Sequence, residues 1–186
     1  MAARKKPPSR RIKINRAPVL TLWAAVVAQR LGFDWNAALT LGRAVAGLNA
    51  YSKGKALGIF HPRTREFQDK KKKLRAGERM RVHLLGRAVP VVRTSRGLRA
   101  ATKGRPSAPE SVRGYLESKF GGAYASARGA MAALARSRKP QELAADAYAL
   151  YTKFRPAIPA GRAGWGAAGI LDLGRVRALA QGVRNR

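Results

Sequence analysis

Basic side chains dominate the residues of this chain that can do chemistry. The sequence has 39 Lys and Arg against nine Asp and Glu, which gives a formal net charge of +30 over 186 residues. Ammonium and guanidinium groups neutralise phosphates and release condensed counterions, which drives association without any reading of base sequence. A GC-rich coding bias would account for the excess of Arg over Lys, but it would not account for the scarcity of acids. The composition therefore predicts a polyanionic partner, with nucleic acid as the main expectation.

The first group of candidate phosphate contacts lies in the N-terminal segment, residues 1–16. This segment has seven cations, no acid and the pair Pro7-Pro8. We therefore expect a disordered basic arm that orders on contact with a backbone or a minor groove. Its candidate contacts are Arg4, Lys5, Lys6, Arg10, Arg11 and Lys13. The alternative is a solubility tail or a targeting address.

A second group surrounds a predicted strand over residues 79–85. Met80, Val82 and Leu84 alternate with polar residues, and such alternation predicts a half-buried strand. A two-stranded ribbon fits a major groove or lies along phosphates, although a solvated outer face gives the same pattern. The basic loops on both sides favour binding. The candidate contacts are Arg79, Arg81, His83, Lys70, Lys71, Lys72, Lys73, Arg93, Arg96, Arg99 and Lys103.

Two predicted helices precede this strand. Apolar spacing indicates one helix over 18–31 and a second from the cap Asp34 to about Tyr51. Small side chains recur every four residues along the second helix, which predicts a groove where another helix approaches closely. They are Ala38, Gly42, Ala46 and Ala50.

The segment 24–43 carries the sharpest local pattern, with Ala28 and Gly32 four residues apart. It resembles a DNA-binding helix-turn-helix, in which a small residue lets two helices cross and Gly permits the turn. The resemblance implies an outward face with Trp35, Asn36, Thr40 and Arg43. It departs from the motif because the second helix is rich in Ala and Leu, and a structural helical hairpin with the same spacing is the favoured interpretation. Arg43, Lys53 and Lys55 are further candidate phosphate contacts.

Beyond residue 106 the chain is predicted to be helical. One helix follows a capping box at Ser107–Glu110, a second ends near Arg138, a third spans Pro140 to Phe154, and a last one runs from the cap Asp172 to about Gln181. Before this region, Pro90 predicts that the strand returning over 87–93 lies at a sheet edge.

These elements predict an α+β fold that is mainly α, with a helical hairpin, a small antiparallel β-ribbon and a C-terminal helical cluster. The expected division is a disordered basic arm over 1–16 and the hairpin over 17–60. A basic β-ribbon with its loops follows over 61–105, and the helical region covers 106–186.

The sequence predicts no catalytic residue, metal site or cofactor. Its nine acids are scattered, so no close carboxylate pair is evident for acid–base work. Without Cys, the two histidines His61 and His83 cannot fill a usual zinc site. The protein is therefore not expected to be an enzyme, and an enzyme acting on nucleic acid is the weakest alternative.

The expected localisation follows from the lengths of the apolar runs and from the absence of cysteine. No apolar run reaches the roughly 18 residues that a membrane span needs. Residues 9–13 loosely resemble a twin-arginine signal, but the apolar run after them is helix-periodic and is interpreted as core. We expect no membrane association and a cytoplasmic, nucleoid-associated protein; its oligomeric state is left open.

Together these observations predict a sequence-tolerant nucleic-acid-binding protein of a nucleoid-associated or regulatory type. Double-stranded DNA is favoured because few aromatic residues lie among the cations, whereas binders of single strands and RNA stack bases on exposed rings. Two alternatives stay open. One is an RNA- or ribosome-associated protein, and the other is a structural or interaction module for an acidic protein partner.

Overall fold

The computed structural model describes residues 11–56, 80–162 and 167–182, with the backbone alone for 53–56. The helices are α1 (Arg16–Arg30), α2 (Trp35–Ala56), α3 (Pro109–Phe120), α4 (Tyr124–Arg136), α5 (Pro140–Phe154) and α6 (Leu173–Gln181). The strands are β1 (Arg11–Ile14), β2 (Arg81–Leu84), β3 (Arg87–Thr94), β4 (Gly97–Thr102), β5 (Arg105–Pro106) and β6 (Gly169–Asp172). The strands form two small antiparallel sheets, so the predicted α+β, mainly α class is confirmed.

Helix α1 is the centre of the fold. Residues 18–28 are all buried, because the chain has no charge between Arg16 and Arg30 and α2, α3, α4 and α5 contact this helix. A helix that is apolar on every side is stable only in an interior. The indole N–H of Trp23 donates to the carbonyl oxygen of Ala147 at 2.8 Å, and Phe154 meets the same ring edge-on at 5.3 Å between centroids. These two contacts fix α5 against α1.

Gly42 sets the crossing of α1 and α2. A Cβ atom at Gly42 would collide with the carbonyl oxygen of Thr21 and would lie 2.9 Å from the amide nitrogen of Ala25. Only a residue without a Cβ allows the two backbones to approach this closely. The small-residue groove predicted for the second helix is therefore confirmed at this position.

Residues 11–16 are not part of a disordered arm, and that part of the prediction is wrong. Strand β1 pairs with β6, with Ile12 opposite Leu171 and Lys13 opposite Ile170. The alternation of charged and apolar residues turns the isoleucines toward the core, where Ile14 is buried, and leaves the cations outside. Only pairing with a strand near the other end of the chain makes this short alternation stable. Residues 1–10 lie outside the described residues.

A four-stranded antiparallel sheet in the order β2-β3-β4-β5 contacts α2 through β3 and β4. The hairpin between β2 and β3 turns at Leu85-Gly86, whose φ values are 49° and 73°. Two successive positive φ angles match the twist of a β-hairpin. Strand β4 pairs with β3 on one side and with β5 on the other.

Pro90 lies in an inner strand, so its predicted edge position is wrong. Residues 87–90 pair with β2, whereas β4 pairs with residues 91–94 of the same strand. Because the ladder to β4 starts after Pro90, its missing N–H removes no bond from that ladder. The two neighbouring strands are offset along β3, so Pro90 is paired with β2 on one side and has no β4 residue opposite it on the other.

Two of the three predicted helix caps are present. Asp34 accepts a hydrogen bond from the Ala37 amide at 3.0 Å, and Asp172 accepts one from the Gly174 amide at 2.8 Å. The capping box at Ser107 is wrong, since α3 begins after Ala108 without a side-chain cap. Ser107 instead donates its amide to the carbonyl oxygen of Ala100 at 2.9 Å and continues the sheet.

The C-terminal helices bury the faces that their spacing predicts. Helix α5 buries Leu143, Ala147, Leu150, Tyr151 and Phe154, and α4 buries Ala127, Met131 and Leu134 among others. Strand β6, between these helices and α6, was not predicted.

We expect Gly42→Ala to lower the free energy of unfolding by about 2–3 kcal/mol, because the added methyl overpacks the α1–α2 crossing. Gly47→Ala in the same helix is the matched control, since nothing lies within 4 Å of a Cβ at that exposed position. Its higher helix propensity should raise stability by about 0.5–1 kcal/mol. Urea unfolding measures both values. Two variants of equal stability would contradict the close crossing.

Burial raises the pKa of Tyr151 to about 12 from 10.0, while the neighbouring Arg16 and Arg155 lower it. The stabilisation from this pKa difference is fully present below about pH 10 and is lost as the pH rises through about 12. It amounts to about 2–3 kcal/mol. We expect the urea midpoint to fall over this range, and to fall less in Tyr151→Phe. The same pH dependence in both proteins would show that Tyr151 does not contribute.

Candidate nucleic-acid interface

Carboxylates neutralise few of the cations in the ranges that the structure describes. Within them, Arg138 alone has a carboxylate oxygen within 4.0 Å, at 3.7 Å in Asp146. Asp34 and Asp172 already cap helices. Unpaired cations repel one another in a compact fold, and a polyanion relieves that repulsion.

The outer face of the β2–β3 hairpin presents two of the predicted contacts. Arg81 and His83 are exposed and Leu84 is buried, so the predicted alternation is confirmed over 81–84, but Met80, which the prediction places on the inner side, is 39 % exposed. Their cross-strand partners are Pro90 and Ala88, neither of which is charged. Further predicted cations, Arg93, Arg96 and Lys103, are exposed in or beside the two following turns.

Arg99 is not available to a ligand, and its prediction as a contact is wrong. Its side chain is 6 % exposed. The guanidinium folds back to donate to the carbonyl oxygens of Leu98 at 2.7 Å and Arg96 at 2.8 Å. The alternation of residues along a strand predicts on which side of the sheet a side chain lies. It does not predict that a long side chain such as that of Arg99 bends back and donates to the carbonyl oxygens of the neighbouring turn. Arg99 therefore holds the β3–β4 turn.

Two of the four residues on the outward face implied by the helix-turn-helix resemblance, Asn36 and Thr40, are engaged by other elements, whereas Arg43 is exposed. Thr40 is fully buried; its hydroxyl accepts a hydrogen bond from the Ala100 amide at 3.0 Å and donates to the carbonyl oxygen of Ala37. Asn36 accepts a hydrogen bond from Arg113. Strand β4 and helix α3 therefore contact α2 at two of the positions that the motif would use to reach base edges. The helical-hairpin interpretation is confirmed.

Arginines from distant parts of the chain meet around the α1–α2 turn, residues 31–34. Arg113 Nη2 donates to Asn36 Oδ1 at 3.1 Å, and the guanidinium of Arg128 lies 3.9 Å from the centroid of a Trp35 ring. The β3–β4 turn also approaches, since a Cβ at Gly97 would lie 3.8 Å from Asp34 Oδ2. We call this set the turn cluster: Arg30, Arg96, Arg113, Arg128 and Arg138.

Two members of the turn cluster have buried donors without a partner. Arg30 Nη2 donates to the carbonyl oxygen of Arg138 at 3.2 Å, so the two residues are neighbours. The Nε atoms of both are buried and have no hydrogen-bond partner among the described residues. Buried donors without partners are costly.

Aromatic rings orient two of the arginines near α2. Arg128 stacks on Trp35, and Arg43 lies 4.4 Å from the centroid of the Tyr115 ring. Neither guanidinium has a hydrogen-bond partner in the described ranges. Stacking fixes the plane of a guanidinium and leaves its edge donors free for phosphate. A cleft of about 370 Å³ lies beside Arg43 and is also lined by Ser107, Ser111 and Tyr115.

Tyr124 stands next to this surface. Burial raises the pKa of its phenol, and Arg128 partly offsets that effect. Its hydroxyl is buried and has no hydrogen-bond partner among the described residues.

A second group of cations lies where β1 meets β6, at the start of α1. Arg11 and Lys13 are exposed on the outer side of β1. Arg16 donates its Nε to the carbonyl oxygen of Pro156 at 3.1 Å. Arg16 and Arg155 both lie close enough to Tyr151 to lower its pKa. We call Arg11, Lys13, Arg16 and Arg155 the strand cluster.

The remaining predicted contacts cannot be placed. Arg4, Lys5, Lys6, Arg10, Lys70 to Lys73 and Arg79 lie outside the described residues, as do the side chains of Lys53 and Lys55 in α2. Conversely, the prediction missed Arg30, Arg113, Arg128 and Arg138. In the sequence, these four arginines are recognisable only as polar residues on the outer faces of helices. That pattern does not predict which helices pack against one another.

In the described ranges, no three His, Asp or Glu residues gather in a way that could hold a metal ion. The helices described there include none with the length and apolar character that a membrane crossing needs. Comparison with protein-family models, curated proteins and solved structures gave no match to this chain.

The two neighbouring arginines of the β3–β4 turn give a matched pair of variants. Arg99→Gln should lower the free energy of unfolding by about 1–2 kcal/mol, because it removes charge-assisted hydrogen bonds that hold the turn. Arg96→Gln should change it by less than about 0.5 kcal/mol, because Arg96 is exposed. Urea unfolding distinguishes the two, and a larger loss in Arg96→Gln would contradict the structural role of Arg99.

Proposed function

We propose that this protein binds nucleic acid by its phosphate backbone, with double-stranded DNA as the favoured partner and little reading of base sequence. The turn cluster carries the proposal. It gathers arginines from α1, the β3–β4 turn, α3, α4 and the turn after α4, and of these only Arg138 has a carboxylate within 4.0 Å among the described residues. Planar guanidinium groups match phosphate oxygens in bidentate geometry.

The arginines of this surface are held before any ligand arrives. Arg128 is stacked on Trp35 and Arg113 is bound to Asn36. Side chains that are already ordered lose less entropy on binding, so more of the electrostatic attraction is retained as affinity. The exposed cations of the sheet and its turns, such as Arg81 and Lys103, extend the basic surface.

The stacked pairs support a duplex over a single strand. Binders of single strands stack bases on free aromatic faces. Here the guanidinium groups of Arg128 and Arg43 lie over the rings of Trp35 and Tyr115, so each ring has one face already covered. The burial of Thr40 supports limited sequence reading, because this polar side chain of α2 is not free to contact base edges.

The salt dependence of duplex binding tests the proposal. For about six to eight phosphate contacts we expect log Kobs to fall with log salt at a slope of roughly −5 to −7. The double variant Arg113→Gln/Arg128→Gln should make the slope shallower by about 2, at roughly 0.9 per lost contact. Fluorescence anisotropy with a random-sequence duplex at four salt concentrations measures both slopes.

Lys119→Glu is the control for net charge, because it changes the charge by the same two units at an exposed residue outside the turn cluster. We expect it to keep the wild-type slope. Parallel titrations with structured RNA and with an acidic peptide distinguish the alternatives: tighter binding to RNA favours an RNA-associated protein, and binding to the peptide alone favours an interaction module. No affinity for DNA or RNA in dilute buffer would overturn the proposal.

A further inference from the structure

The two basic clusters lie at opposite ends of the central helix. Arg16, in the strand cluster, begins α1, and Arg30, in the turn cluster, ends it. At 1.5 Å per residue the two ends are about 21 Å apart along the helix axis. This distance exceeds the screening length of about 8 Å at physiological ionic strength, so each cluster attracts anions independently.

The body of the protein separates the clusters. Residues 18–28 of α1 are buried, and α2, α3, α4 and α5 pack around them. No charged side chain of α1 lies between Arg16 and Arg30. The apolar core therefore holds the two ends of α1 at a fixed distance from each other.

Each cluster keeps a positive charge of its own. At the turn cluster, Asp146 contacts Arg138 and Asp34 caps α2. At the strand cluster, Asp172 caps α6 and lies opposite Arg11 across the strands. Lys13 lies opposite Ile170, an apolar residue that is exposed. Both ends of α1 thus offer cations to a ligand.

We propose that this protein bridges two nucleic-acid segments, one held at each end of α1. The inference rests on the proposed function and adds a second site to it. Duplex DNA is stiff, with a persistence length of about 150 base pairs. A duplex that lies across one end of α1 therefore cannot curl around the molecule to the other end, and the second cluster remains free for another segment.

A pull-down measures bridging directly. One duplex of about 30 base pairs is fixed to beads, a second carries a fluorophore, and the protein is present below the concentration of either. Wild type should recover the fluorescent duplex on the beads. Arg11→Gln/Lys13→Gln and Arg113→Gln/Arg128→Gln should each lower recovery by about tenfold, because bridging needs both sites at once.

The controls separate this inference from the proposed function. Anisotropy with a single duplex is run on every variant, and thermal unfolding confirms that each is folded. Arg11 and Lys13 are exposed, so the strand-cluster variant still tests the inference if the other is unstable. Lys119→Glu lies outside both clusters and should bridge as wild type does.

Three results would overturn bridging. In the first, wild type binds a single duplex with the expected salt slope but recovers no second duplex, which leaves the proposed function intact. Recovery that survives in the strand-cluster variant would mean that single-site copies of the chain associate. A protein that binds no duplex in either assay would fail the proposed function itself.

Discussion

The complete burial of helix α1 is the constraint on which the rest of the structure depends. An apolar helix must be covered on every side, and four other helices contact it. The closest crossing is possible because Gly42 has no Cβ to meet the backbone at Thr21 and Ala25. Burial along its length also leaves charge only at its two ends, Arg16 and Arg30. The positions of the two basic clusters follow from this one requirement.

Arginine has several different roles in this fold, and its chemistry explains why. A guanidinium group stacks on rings, donates to carbonyl oxygens and remains charged in each case. Arg128 stacks on Trp35, Arg113 binds an amide side chain, and Arg99 holds a turn through two carbonyl oxygens. Few acids are needed for these arrangements, so positive charge accumulates. That excess is structurally tolerated at the surface and is the physical basis of the proposed binding to phosphate.

Local patterns predicted much of the fold and less of the candidate site. Helix spacing predicted the range of α5, and the caps Asp34 and Asp172 marked two helix starts correctly. Predictions failed where a distant partner decides the outcome. The segment 11–14 is a strand because β6 pairs with it, and Thr40 is buried because β4 covers it. Charge patterning found exposed Arg81 and Arg96 but not the arginines of α3 and α4.

The sequence by itself determined the large positive charge, the fold class and the apolar helix that forms the core, because these depend on composition and on periodicity within one segment. Only the tertiary structure decided which cations lie close together at the surface and which are buried and unavailable to a ligand. Helix packing brings Arg113 and Arg128 into contact with α2. The Arg99 side chain instead donates to a carbonyl oxygen of the β3–β4 turn. Such groupings depend on contacts between residues far apart in the chain, and the spacing of residues along one segment does not encode them.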